Sequence, residues 1–528
     1  MPDLGKLFAS AALLAAAGAA AAHPPYGARL TDFLNYRPHA TEPAVAASVL
    51  QWGRDQGVVP PEGGSDDDEA YRELVHARLA ESLLPDAVLP REAPDAGVEA
   101  ELGPLRVVMF GPEGNVEDNA GNTERLGFER FGHYMFPSIC RLRDGQLLVR
   151  VFVGGDGGED PRYPRPPEWL HYLSDDGGAH WRHVACYDRV TRMASQADER
   201  PITEAALALD NGEQIRFQMR QIEVDAERLR QIPVQEPGNW YRLGDLPAEE
   251  QWFPLFTRQA DQREWTAARA EWDPDTLIRG EFVPSGDAER PRTVVRLAPL
   301  GYPWFGDGGP VARLADGELL LTIDARQGIR PLGELRPDGS LAGDALNYVL
   351  RSTDRGRSWR YAATIPDIRV GPWFVGWRAH LEPRFSSGAW TALYRTRGLY
   401  SGAGPMFVRL SHDQGRTWSP VRALRPCSSG VIPGTVLDNG IAVRAYGRPG
   451  AYLMFCSDGR GALWGSDVAL IEPWPTQNDA LSCNNPQIAS TGPDRFVVVY
   501  SQFDVPDPWG TPRLAVVVRE CTVRRRVP

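Results

Sequence analysis

From residue 104 to the C-terminus the chain alternates apolar and polar positions in short runs, and one unit keeps returning. The unit is a strand, a tight polar turn and a second strand, which is the pattern of a half-buried β-hairpin. Its copies read FPSICRLRDGQLLVRVF from Phe136, PITEAALALDNGEQIRF from Pro201, GPVARLADGELLLTI from Gly309, HLEPRFSSGAWTALYR from His380, VIPGTVLDNGIAVRAY from Val431 and NPQIASTGPDRFVVVY from Asn485. Such a unit cannot bury its faces alone, so its repeats pack on one another. Six copies predict an all-β fold, a six-bladed β-propeller over residues 104–528, with the strand Leu105–Phe110 closing the ring by joining blade six. Residues 223–291 exceed what blade two needs and read as an insertion on a rim. Its Trp240, Tyr241, Trp252, Trp265 and Trp272 either pack on the blade or cover the channel mouth.

A second repeat falls between outer strands. Ser411-His412-Asp413-Gln414-Gly415-Arg416-Thr417-Trp418 has the form S-x-D-x-G-x-T-W, and the octets from Ser352 to Trp359 and from Ser174 to Trp181 repeat it. A fourth copy, from Ser457 to Trp464, keeps Ser, Gly and Trp but has Gly459 where the Asp is expected. In such a turn Asp caps the backbone, Gly takes a positive φ and Trp packs beneath the loop. These Asp residues therefore read as structural.

Upstream of residue 104 the pattern changes. Residues 7–22, LFASAALLAAAGAAAA, follow Lys6 and end in an A-x-A-like site, so 1–22 reads as a signal peptide cut near His23 and the chain as exported, to the periplasm or beyond the cell. Within 23–103, Asp66-Asp67-Asp68-Glu69 opens a helical periodicity that ends before Pro85, predicting a small helical N-terminal appendage bounded by Pro-rich segments. Of 528 residues, 42% are hydrophobic and 24% charged, which supplies material for a large core. The net charge of −12 argues against nucleic acid and anionic membrane as partners. No apolar run is long enough for a comfortable membrane span. The six cysteines show no C-x-x-C spacing, so neither a metal site nor a cofactor is expected.

Propeller geometry limits where chemistry can gather. If the first strand of each hairpin descends from an upper rim and the second climbs back, strand starts and strand ends share that rim, opposite the capped octets. On this reading the rim collects His133, Tyr134, Asp307, His380, Glu382, Asn484 and Asn485 from strand starts. From strand ends it collects Asp324, Arg326, Arg395, Arg397, Tyr446 and Arg448.

The octet is the Asp-box, and six hairpins with Asp-boxes resemble the sialidase superfamily over roughly residues 104–525. That resemblance implies a grip on a sugar carboxylate by arginines, whose planar forks match it. Glu382 and Arg395 look like the family's catalytic Glu and middle arginine, and Arg448, nine residues before Ser457, looks like the third. Two departures stand out. The first arginine is absent from Tyr134-Met135-Phe136-Pro137, and Cys483-Asn484-Asn485-Pro486 has no Tyr where the family keeps its nucleophile. The general acid has candidates in Asp156, Asp160 and Glu168, with Asp160 preferred by spacing. Two chemistries suit this set. Glu382 activates a water opposite Asp160, which is inverting hydrolysis with carboxyl groups roughly 6.5–9.5 Å apart; or Tyr446 or Tyr400 replaces the missing nucleophile. Arg395, Arg448, His380, Asp307 and Arg397 are the expected substrate contacts. The implied function is an exported, monomeric glycoside hydrolase or related enzyme on an acidic or polar sugar of a carbohydrate or glycoconjugate. The alternatives are a propeller that binds carbohydrate or glycoprotein without catalysis and one that serves protein assembly.

Overall fold

The computed structural model describes strands and turns between residues 94 and 526 and scattered positions between 51 and 78. Outside the described residues lie 1–50, 61–70, 79–93, 111–133, 155–167, 188–204, 327–344, 397–405, 426–431, 448–450 and 472–485, further short stretches, and the side chains of some strands. The fold is nearly all β, a propeller of antiparallel sheets, and the described helical positions in the N-terminal region are 51, 53–55, 71, 74–75 and 78.

Each predicted hairpin lies within a sheet. The first forms Tyr134–Arg141 and Leu147–Gly154, continued outward by Glu168–Ser174 and Arg182–Tyr187. Its Val149 and Val151 are fully buried while Arg150 between them is half-buried, as period-two alternation requires. The fifth forms Gly434–Val436 and Ala442–Gly447, continued by Ala451–Cys456 and Gly465–Ile471. Both middle strands of that sheet are buried at every position, because neighbouring sheets cover both faces.

Buried side chains join five sheets in series. Val149 and Val151 of the first pack on Val497 and Val499 of the sixth. Val443 and Phe455 of the fifth meet Phe496 and Val498 of the sixth. Leu393 and Val408 of the fourth meet Met454 and Trp464 of the fifth. Between the third and fourth, the Ala379 N–H donates to Asn347 Oδ1 at 3.0 Å. The propeller therefore shows five blades, and the six expected from the hairpins are not confirmed. The second hairpin forms Ala205–Ala208 and Gln214–Met219, but its side chains lie outside the described residues and no described core seats that sheet among the others.

The chain beyond that hairpin is not one inserted unit. Trp252–Gln259 and Thr266–Glu271 complete the second sheet, whereas Ile222–Asp225, Trp240–Arg242, Leu277–Pro284 and Thr293–Pro299 build a separate four-stranded sheet. Ring closure follows the sequence reading more closely. Arg106–Phe110 pairs with the last strand, Pro512–Arg525, between Ala515 and Val518. Val98–Leu102 pairs with the same strand further along, from Cys521 to Arg525, so the N-terminal region also caps blade six.

The octet turns are wired as their residue types demand. In the box from Ser411, Asp413 Oδ1 accepts from the Ser411 hydroxyl at 2.9 Å and the Thr417 N–H at 2.8 Å, and Oδ2 accepts from the Thr417 hydroxyl at 2.6 Å. Gly415 has φ 85°, and a Cβ there would lie 2.7 Å from Ala363 Cβ, so only glycine fits. The fourth copy corrects its sequence reading. Cys456 donates its thiol to Asp458 Oδ1 at 3.1 Å, and Asp458 accepts from four backbone N–H groups, Arg460 to Leu463, so Cys456 and Asp458 fill the Ser and Asp roles in a turn one residue longer. Ser457 is thereby freed, and its hydroxyl donates to Ala96 O at 2.6 Å, pinning the N-terminal segment to blade five.

These caps predict an acid signature. Hydrogen bonds from the Thr417 hydroxyl and N–H draw the Asp413 carboxyl down from its ordinary 3.8 to about 2. A depressed carboxylate contributes stability that is whole above its unfolded value and fades as pH falls through the folded one. The urea midpoint of Asp413→Ala should therefore lie below wild type at pH 7, with the gap shrinking below about pH 4. A gap that widens in acid would contradict the cap assignment.

Candidate functional site

Blade four fixes which residues share a rim. It comprises Gly376–Glu382, Trp390–Thr396, Met406–Ser411 and Arg422–Arg425. Glu382 is opposite Thr391, and Thr391 is opposite Leu410; at the other end Gly376 is opposite Thr396 and Met406 opposite Arg425. The turn after Glu382 and the Asp-box turn therefore lie at the same, lower end. This corrects the expected placement of Glu382 and His380 at the upper rim. Their strand begins at Gly376, and Glu382 ends it, because Pro383 carries no N–H with which to extend the ladder. Glu382 and Arg395, expected as partners, are four residues apart in register, about 13 Å along the strand.

Glu382 is wholly buried and its oxygens are taken. Arg384 grips it as a fork, Nε to Oε1 and Nη2 to Oε2, both at 2.8 Å, while its backbone N–H donates to Oε1 at 3.1 Å. Arg444 of blade five donates Nη2 to Oε2 at 3.0 Å and Nη1 to Ile432 O at 2.8 Å. Burial alone would raise the Glu382 pKa; the Arg384 and Arg444 guanidiniums overcome it and hold the carboxyl below its ordinary value. This is an internal anion bridging two blades, with no lone pair left for a water or a substrate.

Tyr446 is internal too. It is fully buried, stacks on Tyr452 with ring centroids 5.3 Å apart, and donates its hydroxyl to Asp467 Oδ2. Arg425 lies 5.7 Å from the Tyr446 ring centroid and forks onto Asp467, Nε to Oδ2 at 2.7 Å and Nη2 to Oδ1 at 2.6 Å. The phenol thus faces a carboxylate already paired with an arginine. Of the other expected residues, His380 is mid-strand opposite Leu393 and half-buried. Asp160, Asp307, Arg397 and Arg448 lie outside the described residues.

At the upper end of blade four the backbone makes one pairing that the sequence reading missed. Arg378 and Arg395 are directly opposite each other, so they share one face of the innermost hairpin. The signal was present as alternation running back from Glu382 through His380 to Arg378, hidden by starting the strand at His380. Next to Arg378, Ala379 is held by Asn347, which is 1% exposed and whose Nδ2 has no hydrogen-bond partner among the described residues. Asn347 is in turn opposite Asp324, near the end of the second strand of blade three. Arg378, Arg395 and Asp324 thus hold register positions at the upper end of blades three and four, where the amide of Asn347 is buried. Among the described residues no three His, Cys, Asp or Glu side chains converge as a metal site.

Comparison with known proteins yields likeness in fold only. No family model matches the chain, and no curated protein matches it. Among solved structures, a protein of unknown function from Dyadobacter fermentans is 14% identical at TM-score 0.43, covering 81% of this chain and 100% of its own. Hadza microbial sialidase Hz136 is 14% identical at TM-score 0.40, covering 74% and 65% respectively. The α-L-arabinanase of Penicillium chrysogenum is 13% identical at TM-score 0.40, covering 79% and 98%.

Proposed function

We propose that the upper end of blades three and four binds the acidic group of a carbohydrate, and that the chain is an exported glycoside hydrolase acting there. One observation carries this reading, the register pair Arg378 and Arg395. Like charges directly opposite each other destabilise a sheet, so two arginines on one face are best accounted for by an anion between them. A guanidinium pair suits a planar carboxylate, and the Asp-box resemblance makes a sugar acid the natural candidate. With Glu382 and Tyr446 internal, acid–base work falls to Asp324 at this end, to Asp307, which the sequence places on the same rim, and to Asp160, the general-acid candidate preferred by spacing, with Arg397 and Arg448 as further contacts. The internal placement of Glu382 and Tyr446 also favours the runner-up, a propeller that binds acidic sugar without cleaving it.

The test is binding and hydrolysis of sialyl- and uronate-containing glycosides by wild type, Arg395→Lys and Arg378→Lys. Lysine keeps the charge but loses the fork, so affinity should fall by about 1–3 kcal/mol for each. Unchanged affinity in both variants would remove the arginine pair from the site. Hydrolysis lost in Asp324→Asn with affinity kept would establish the enzyme reading; binding without hydrolysis in wild type would establish the runner-up.

A further inference from the structure

We propose that Trp509, at the tip of the last hairpin of blade six, is an aromatic platform that stacks on a sugar ring of an extended glycan held at the upper rim. The proposal rests on the reading above for the substrate class but on a separate element of the fold. The strands Arg495–Pro506 and Pro512–Arg525 pair as far as Pro506 and Pro512, and the turn between them carries Trp509. This turn lies at the end opposite the Gly492 to Arg495 turn and hence at the upper rim. The first strand of the blade starts at Gln487, opposite Val499, so Asp507 stands eight residues further up, about 25 Å beyond that start.

Trp509 is 83% exposed, more than any other Phe, Tyr or Trp among the described residues, yet its turn is firmly built. Asp507, 6% exposed, accepts the Trp509 N–H at 2.9 Å and the Thr511 N–H at 2.8 Å through Oδ1, and its own N–H donates to Thr511 O at 2.9 Å. Arg513 Nε stands 2.8 Å from Asp507 Oδ2 as an ion pair, and Gly510 supplies φ 84°. A well-ordered turn that spends its hydrogen bonds on presenting an indole to water is an arrangement for binding, since fixing the ring beforehand removes the entropic cost of doing so later.

What surrounds the ring selects the occupant. The neighbours Pro506, Pro508, Gly510 and Thr511 are exposed, and no other large apolar side chain is exposed on this hairpin among the described residues. A lone indole offers at most about 250 Å². A specific protein interface needs roughly 800 Å² per partner. One face of a pyranose, with its C–H groups, matches a single ring. Trp509 stands on blade six and the arginine pair on blade four, with blade five packed between them, so the ring it stacks on is a different unit of the glycan from the acidic one, and Trp509 serves oligomers and polymers, not a monosaccharide.

The experiment uses the full chain with Trp509→Ala, Trp509→Phe and Arg395→Ala. The probes are sialyllactose, oligogalacturonates of increasing length and the corresponding immobilised polysaccharides, read by indole fluorescence and affinity electrophoresis. The expected result is at least a tenfold loss of affinity for long probes in Trp509→Ala, a small change for the shortest, and recovery in Trp509→Phe. Affinity lost in Arg395→Ala but equal to wild type in Trp509→Ala overturns this inference and leaves the arginine reading standing. Affinity lost in Trp509→Ala but not in Arg395→Ala does the reverse. A wild type that binds none of the probes overturns both.

Discussion

Alanine at Glu382 is expected to cost about 3–5 kcal/mol of folding stability, the penalty for removing one partner of a buried ion pair. The carboxylate has no solvent exposure, and the side chain of Arg444, 3% exposed, depends on it for charge compensation. Without it Arg444 keeps only carbonyl acceptors, Ile432 O at 2.8 Å and Leu381 O at 3.4 Å, and the seam between blades four and five holds an uncompensated cation. Arg384 suffers less, because its side chain is 34% exposed and water can replace the lost fork. Glutamine should also destabilise, since it preserves shape but not charge. The pH dependence follows from the lowered Glu382 pKa: its stabilisation is whole above the unfolded value of about 4.5 and is lost as pH falls through the lower folded value, so the deficit of Glu382→Ala narrows in acid. Urea unfolding across pH measures this. A Glu382→Gln protein with wild-type stability and turnover reduced about 10²–10⁴-fold would return Glu382 to the chemistry.

The same residue shows what sequence pattern can and cannot supply. Alternation and turn residues specify that a strand exists and which positions share a face, so the hairpins and the capped octet turns are legible. The end of the strand at which a residue sits depends on where pairing begins, and alternation does not mark that. In blade four the turn between Glu382 and Trp390 is long, so the first strand reaches back to Gly376 and the rim assignment of Glu382 inverts, while Arg378 goes unread. The fourth Asp-box failed for a related reason. A template of fixed length aligned Ser457 and Gly459 with positions that Cys456 and Asp458 fill by hydrogen bonding, and one extra residue in the turn is invisible to spacing. Tyr446 looked like a rim phenol because it ends a strand; its burial depends on Arg425 and Asp467, which are distant in sequence and carry no local signature of their contact.

Alanine at Asp467 should match Glu382→Ala in effect and exceed it in specificity. The side chains of Arg425 and Asp467 both have no solvent exposure, and each guanidinium nitrogen is spoken for: two on the carboxylate, Nη1 on Leu424 O at 2.7 Å and Nη2 also on Trp464 O at 3.1 Å. The pair crosses from the last strand of blade four to the last strand of blade five, and Tyr446 donates its hydroxyl to the same carboxylate. Removing Asp467 therefore takes from a buried guanidinium the carboxylate it forks onto and from a buried phenol the oxygen it donates to, a loss of about 3–5 kcal/mol. A buried pair adds little net stability over well-packed apolar side chains, because desolvation offsets most of its attraction. Arg425→Met with Asp467→Leu should therefore recover most of what Asp467→Ala loses, giving a large coupling in a double-mutant cycle on unfolding free energy. If the apolar double variant is as unstable as the single, then the hydrogen bonds to Leu424, Trp464 and Tyr446, not charge compensation, hold this seam.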